Sequence, residues 1–297
     1  MPTRMTRREF AAAAGAAMVA QSALAQTGAP ITRAIPASGE LLPAVGLGTA
    51  NVFNIDDEAT RQKATAVLRA LIADGGRLVD TASVYGDAES VLGDVMASAA
   101  PRDKLFIATK CETPDAAEVK RSLSRLKVEK LDLLQLHNVR EPQQSLTQFK
   151  DWKAQGLCRY IGITSTYHGS FPAVEAVLAR EQPDFVQIDY SLDDREAERR
   201  ILPAAAEVKA AVLTALPFGR GRLFRAVHGK ELPDWARAFA GSWAQFFLKY
   251  LLGDPRVTVV IPGTADSAHM TDNLGAMRGA LPDPEQRQRM VAFIGSL

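Results

Sequence analysis

The sequence predicts a single closed α/β barrel of eight parallel strands, a (β/α)8 TIM barrel, with an N-terminal β-hairpin closing its bottom. Three observations predict it. From about residue 45 onward, short apolar β-rich runs alternate strictly with amphipathic segments. Residues 26–297 are close to the ~250 that eight such units require. Ionisable residues stand at the C-terminal ends of successive runs, where a barrel gathers them on one face. The competing architecture, an open doubly wound sheet, lacks its signature turn, because Gly46-Leu-Gly48-Thr-Ala-Asn51 has no third glycine.

The elements follow in order. Two apolar stretches flank the polar turn Pro36-Ala-Ser-Gly39 between Ile31 and Leu42, which predicts the closing hairpin. Apolar runs predict strands over 45–49, 77–81, 105–110, 131–137, 160–164, 185–189, 211–215 and 258–262. Apolar residues recurring every three or four positions predict helices over 58–73, 88–97, 116–126, 145–154, 171–179, 194–208, 235–252 and 267–277. There is no repeat at solenoid period and no low-complexity linker, so one barrel domain over 26–297 is expected.

Residues 1–25 read differently. Thr6-Arg7-Arg8-Glu9-Phe10, an alanine-rich run and Ala23-Leu24-Ala25 before Gln26 have the order of a twin-arginine signal peptide with a small-residue cleavage site. Export to the periplasm by the twin-arginine machinery is therefore expected. The apolar run is well short of the ~20 strongly apolar residues that span a bilayer, so no stable membrane association is expected of the mature protein. A formal charge of +1, with Lys and Arg spread along the chain, offers no footprint for nucleic acid. Cys111 and Cys158 fall at opposite ends of their strands and are expected to be unpaired. His168, His228 and His269 lack ligand spacing with one another or with the cysteines, so no metal is expected. A monomer is the default expectation.

The chemistry is carried by Asp80-Thr-Ala-Ser-Val-Tyr85, by Lys110 closing Leu-Phe-Ile-Ala-Thr-Lys, and by His137 closing Leu-Asp-Leu-Leu-Gln-Leu-His. A tyrosine hydroxyl, with a pKa near ~10, protonates a carbonyl oxygen poorly unless a cation stabilises its phenolate. Lys110 supplies that cation, and Asp80 holds a partly buried lysine charged. His137 is placed to hydrogen-bond the same oxygen. The set is a general acid, its tuner, the tuner's counter-ion and an oxygen clamp.

These stretches, with Tyr160-Ile-Gly-Ile-Thr164-Ser165, Phe185-Val-Gln187, Leu216-Pro-Phe218-Gly219-Arg220-Gly221 and Val260-Ile-Pro-Gly263-Thr264, resemble the aldo-keto reductase superfamily from Ile31 to about Gly279. With the export signal, the chain is similar to the exported bacterial members. The resemblance implies a nicotinamide-dependent reductase of small aldehydes and ketones, with Asp80, Tyr85, Lys110 and His137 as its catalytic tetrad. It also implies that Thr164, Ser165 and Gln187 contact the nicotinamide carboxamide and that Asn273 contacts the adenine. Leu216, Phe218, Gly219 and Arg220 would flank the cofactor from the loop after strand seven.

Two positions depart from the family pattern. Ala215 stands where the family often stacks an aromatic on the nicotinamide ring, which leaves Phe218 to hold the ring. At the ribose 2′-phosphate site Gly263 and His269 replace the usual Lys and Arg, and Thr264 keeps a hydroxyl, so NADP(H) is only modestly favoured over NAD(H). Arg220, Arg222 and Arg225 form either a pyrophosphate clasp or a solvated basic loop. The loop after strand four, 138–144, is short, which suggests an open, permissive mouth. The alternative reading is an exported cofactor-binding or redox-sensing protein of this fold with little turnover.

Overall fold

In the computed structural model, which describes residues 28–297, strands β1 (Thr32–Ala34) and β2 (Leu41–Pro43) form an antiparallel hairpin. The signal peptide expected over 1–25 lies outside the described residues. Gly39, at φ +76°, turns the hairpin by donating its N–H to the Ile35 carbonyl at 2.8 Å. Eight parallel strands then follow in sequence order: β3 (Leu47–Gly48), β4 (Leu78–Asp80), β5 (Phe106–Cys111), β6 (Leu131–Leu136), β7 (Cys158–Ser165), β8 (Phe185–Asp189), β9 (Ala211–Ala215) and β10 (Val259–Val260). Bridges Val45–Val260 and Gly48–Gly263 join the first of these to the last and close the ring. The chain is a (β/α)8 barrel with a hairpin at its bottom, as the sequence predicts.

Alternation along each strand sorts the side chains. Leu78, Phe106, Leu133, Tyr160, Phe185, Leu213 and Val259 form an inner cluster, which Ile35 and Leu42 of the hairpin seal from below. The rings of Phe106, Tyr160 and Phe185 lie 5.6–6.0 Å apart, centroid to centroid. Tyr160 Oη donates to Ser38 Oγ at 2.7 Å, and Arg159 pairs with Glu40, tying hairpin to barrel. The outward residues Val79, Ile107, Leu134, Ile163, Val186 and Val212 pack in the larger cluster with the helices.

Gly162 faces inward above the aromatic layer, where a Cβ would stand 3.0 Å from Gln135 Cγ and 3.1 Å from the Phe185 carbonyl oxygen. Its lack of a side chain makes room for Gln135, which matters for the site above.

The helices differ from expectation at several places. The segment expected to be helical over 194–208 is two short helices, Glu196–Arg199 and Ile201–Glu207. Pro203 has no N–H to donate to the Arg199 carbonyl, so the first helix stops there. The segment expected over 235–252 begins only at Trp243, where Ser242 caps the helix Trp243–Leu252 by accepting from Gln245 N. A further helix, Pro284–Gly295, was not expected, although Asp283 and Gln286 form a capping box and Pro284 stands in its first turn. Arg287 binds this helix to the barrel through the Tyr250 carbonyl and Glu198. Cys111 and Cys158 are buried and unpaired, at the C-terminal end of β5 and the N-terminal end of β7. Among the described residues no helix is long and apolar enough to cross a membrane.

Candidate active site

Above the aromatic layer the inward positions become polar. Asp80 ends β4, Lys110 stands one residue before the end of β5, and His137 follows β6 directly. Tyr85 comes from the turn after β4, where its N–H donates to the Ala82 carbonyl at 3.1 Å. Gly86, at φ +59°, lets that turn press against the 51–56 loop. A Cβ there would lie 2.5 Å from the Asn54 carbonyl oxygen and would displace the segment that carries Tyr85.

The four residues meet. Lys110 Nζ donates to Asp80 Oδ2 at 2.6 Å and to the Thr81 carbonyl at 2.7 Å. It also sits 4.8 Å from the Tyr85 ring centroid. The Tyr85 and His137 rings meet edge to face at 5.8 Å. Asp80 and Lys110 are only 2% and 1% exposed, so each needs the other.

Two glutamines complete the counter-charge. Gln135 Nε2 donates to Asp80 Oδ1 at 3.3 Å, and Gln187 Nε2 donates to Asp80 Oδ2 at 3.2 Å. A second Gln135 Nε2 bond, at 3.1 Å, ends on Gln187 Oε1. Gln187 thus serves the buried carboxylate, and one Nε2–H is left for a ligand. Gln135 escaped the sequence reading, though the signal was present: it lies two residues before His137 on the same face of β6.

Burial acts to lower the Lys110 pKa, but the charge of Asp80 and the adjoining Tyr85 outweigh it and hold the ammonium above the usual lysine value. Burial raises the Asp80 carboxyl, opposed by Lys110 and the two amides. Burial, seconded by Lys110, pushes His137 down to about 4, so its ring is neutral at neutral pH. His137 Nδ1 is buried without a partner, which leaves Nε2 to face the cavity.

That depressed value has a thermodynamic consequence. Between about pH 6.5 and 4 the unfolded chain binds a proton at His137 that the folded chain refuses, so stability falls as pH falls through this window. The loss reaches about 3 kcal/mol at its acid end. Urea unfolding at a series of pH values is expected to show a flatter acid slope in His137→Gln than in the parent. Equal slopes would remove His137 as the cause.

The residues surround a cavity of about 320 Å3 at the C-terminal mouth of the barrel. Thr164, Thr166 and Gln187 line one wall, and Ala215, Leu216, Phe218 and Ile261 supply apolar surface. Arg220 and Gly263 lie at the rim. The loop after β9 is bent by positive φ at Leu216 (+53°), Gly219 (+55°), Arg220 (+53°) and Gly221 (+80°). Leu216 and Arg220 are side-chain-bearing residues in a sparsely populated region, concentrated where the loop meets the cavity.

Several residues expected to contact the cofactor are not among those that line this cavity. Ser165 lies outside the cavity. Its hydroxyl engages the backbone of Tyr167, and Thr166 takes the wall position, because the two-residue alternation that turns Thr164 inward carries on to Thr166 and turns Ser165 away. Thr264, His269 and Asn273 also lie off the cavity wall. Thr264 Oγ1 accepts from Asp266 N at 3.1 Å, and Asp266 caps the helix Ser267–Gly275 by accepting from Ala268 N and His269 N. Gly219 is buried beneath Asp193, which pairs with Arg222 at 2.7 Å.

The aldo/keto reductase family model matches residues 44–292, nearly the whole barrel. The chain belongs to the aldo/keto reductase family. This aldo/keto reductase is accordingly an NAD(P)H-dependent oxidoreductase. It is 29% identical over 261 residues to methylglyoxal reductase YeaE of Escherichia coli (strain K12), covering 84% of this chain and 90% of that one. It is 25% identical over 288 residues to probable aldo-keto reductase 1 of Glycine max, covering 82% of each. Among solved structures it is similar to an aldo-keto reductase from Klebsiella pneumoniae in complex with NADPH. That likeness has a TM-score of 0.75 and 25% identity and covers 89% of this chain and 95% of that chain.

Proposed function

We propose that this aldo/keto reductase reduces small aldehydes or ketones to alcohols using NADP(H), with Tyr85 as general acid. The observation that carries the reading is the placement of the Lys110 ammonium between Asp80 Oδ2, at 2.6 Å, and the Tyr85 ring, at 4.8 Å. The cavity fits a nicotinamide: Thr164, Thr166 and the free Gln187 N–H offer polar contacts, and Phe218 with Leu216 and Ile261 offers a face for the ring. Arg220 at the rim suits a phosphate. A reduced nicotinamide, when bound, supplies the hydride.

The side chains do the rest. Tyr85 gives its hydroxyl proton to the carbonyl oxygen as that oxygen gains charge. Lys110 stabilises the phenolate left behind, and Asp80 keeps Lys110 charged. Neutral His137 donates from Nε2 to the same oxygen and fixes its position.

The K. pneumoniae relative is in complex with NADPH, which supports NADP(H) here. The preference is expected to be weak. Asp266 already places a carboxylate at the helix end nearest Gly263 and Thr264, where the resemblance puts the 2′-phosphate, and among the described residues no Lys or Arg forms an ion pair with it. Fluorescence titration with NADPH and NADH is expected to show saturable binding of both, within about tenfold of each other. Turnover should follow on methylglyoxal, the substrate for which the YeaE relative is named, and on an aromatic aldehyde. Binding of neither nucleotide would overturn the reading. Binding without turnover of any carbonyl would replace it with a redox-sensing role.

A further inference from the structure

Next to the active-site cavity, outside the tetrad, three side chains from separate elements converge. His168 begins the one-turn helix His168–Ser170 that follows β7. Asp189 is the last residue of β8. Asp194 is held in a tight turn in which Ser191 and Asp194 exchange N–H···O bonds, each of 3.1 Å. The Phe171 ring, 4.8 Å from the His168 ring, packs against the imidazole.

His168 Nε2 lies 3.2 Å from Asp189 Oδ2 and 3.2 Å from Asp194 Oδ1, and ligand atoms of all three residues lie within 4.8 Å of one another. A protonated imidazole clamped by two carboxylates is the ordinary explanation of such a group. It requires the single Nε2 proton to point at one of the oxygens. Here Nε2 is buried and makes no hydrogen bond, and Asp189 Oδ1 is buried without a donor as well. Two unpartnered polar atoms, facing a second carboxylate, offer lone pairs to a cation. The two His168 edges of 3.2 Å agree with a tetrahedral metal, whose bonds of about 2.0–2.1 Å give ligand–ligand edges of about 3.3 Å.

We propose that His168, Asp189 and Asp194 form a site for a first-row divalent metal ion, with Zn2+ as the test ion. An imidazole donor selects against Mg2+ and Ca2+, which take all-oxygen shells, and no cysteine is available to draw a softer ion. A polar cavity of about 60 Å3 borders Asp189 and Asp194 and leaves space for a water or substrate ligand in the fourth position. Thr166, Leu216 and Arg220 line both this cavity and the catalytic one. A bound ion ties the end of β7 to the end of β8 directly behind the proposed nicotinamide wall. The site does not depend on the reductase reading. Histidine spacing could not reveal it, because two of its three ligands are carboxylates that only the barrel brings together.

The test is calorimetric titration of the chelator-treated full chain with Zn2+, with Co2+ as a spectroscopic probe. The expected result is one Zn2+ per chain and Co2+ d–d bands of tetrahedral intensity, without thiolate charge transfer. Outer-sphere partners of a bound metal are worth about 10–100-fold in affinity, so loss of a ligand in His168→Ala or Asp189→Asn should weaken binding at least that much. Asp194→Asn is the milder variant in case the others fold poorly, and it should weaken binding too. His228→Gln, a surface control, should leave binding unchanged. Absence of saturable Zn2+ binding in the parent chain, or binding that survives all three ligand substitutions, overturns the proposal.

Discussion

Tyr85→Phe is expected to lower kcat for carbonyl reduction by about 100- to 10,000-fold, the contribution of a positioned general acid, while leaving nucleotide affinity unchanged. The substitution removes the hydroxyl only. The ring keeps its 5.8 Å edge contact with His137 and its place 4.8 Å below the Lys110 ammonium, so the turn and the cavity survive. Steady-state kinetics at saturating NADPH, beside a fluorescence titration of the same variant, read the two quantities separately. A fall of less than tenfold would move the acid to His137. Parallel loss of turnover and binding would make Tyr85 a residue that holds the nucleotide.

Lys110→Met is expected to affect stability and activity together. The methionine fills the lysine's volume but strands Asp80, 2% exposed, beneath the cavity with two neutral amides as its remaining partners. Breaking a buried pair from one side costs about 3–5 kcal/mol. Activity should fall by about 100-fold or more, because Tyr85 loses the charge that stabilises its phenolate. The double variant Asp80→Asn/Lys110→Met separates the two effects. The Asn carboxamide still accepts from Gln135 or Gln187 and carries no charge, so most of the stability should return while turnover stays lost. Urea unfolding and kcat on the three proteins decide it. A Lys110→Met chain as stable as the parent would show that the pair is not a net charge–charge contact. A double variant that regains turnover would remove Lys110 from the proposed mechanism.

The part of the site legible in the sequence is the part set by residue type at a strand end. Asp80, Lys110 and His137 each close or follow an apolar run, and a parallel barrel delivers such residues to one mouth whatever its finer geometry. Gln135 was equally legible by its two-residue spacing from His137, as was the C-terminal helix by its Asp283-Pro284-Glu285-Gln286 start. The break at Pro203 follows from the missing N–H alone.

The rest was settled by which surfaces meet. The resemblance reads Gln187 as a carboxamide contact, yet in the barrel it also lies across from Asp80, 107 residues earlier, and donates to it. His168, Asp189 and Asp194 share no motif, because their convergence depends on where one helical turn and one four-residue turn return to the rim. Hydrophobic period, turn residues and caps act over a few bonds, so the linear chain specifies the strands, most of the helices and the face to which each side chain turns. Contacts across the barrel mouth depend on curvature and on loop ends packed against one another, and those exist only once the ring has closed through Val45–Val260 and Gly48–Gly263.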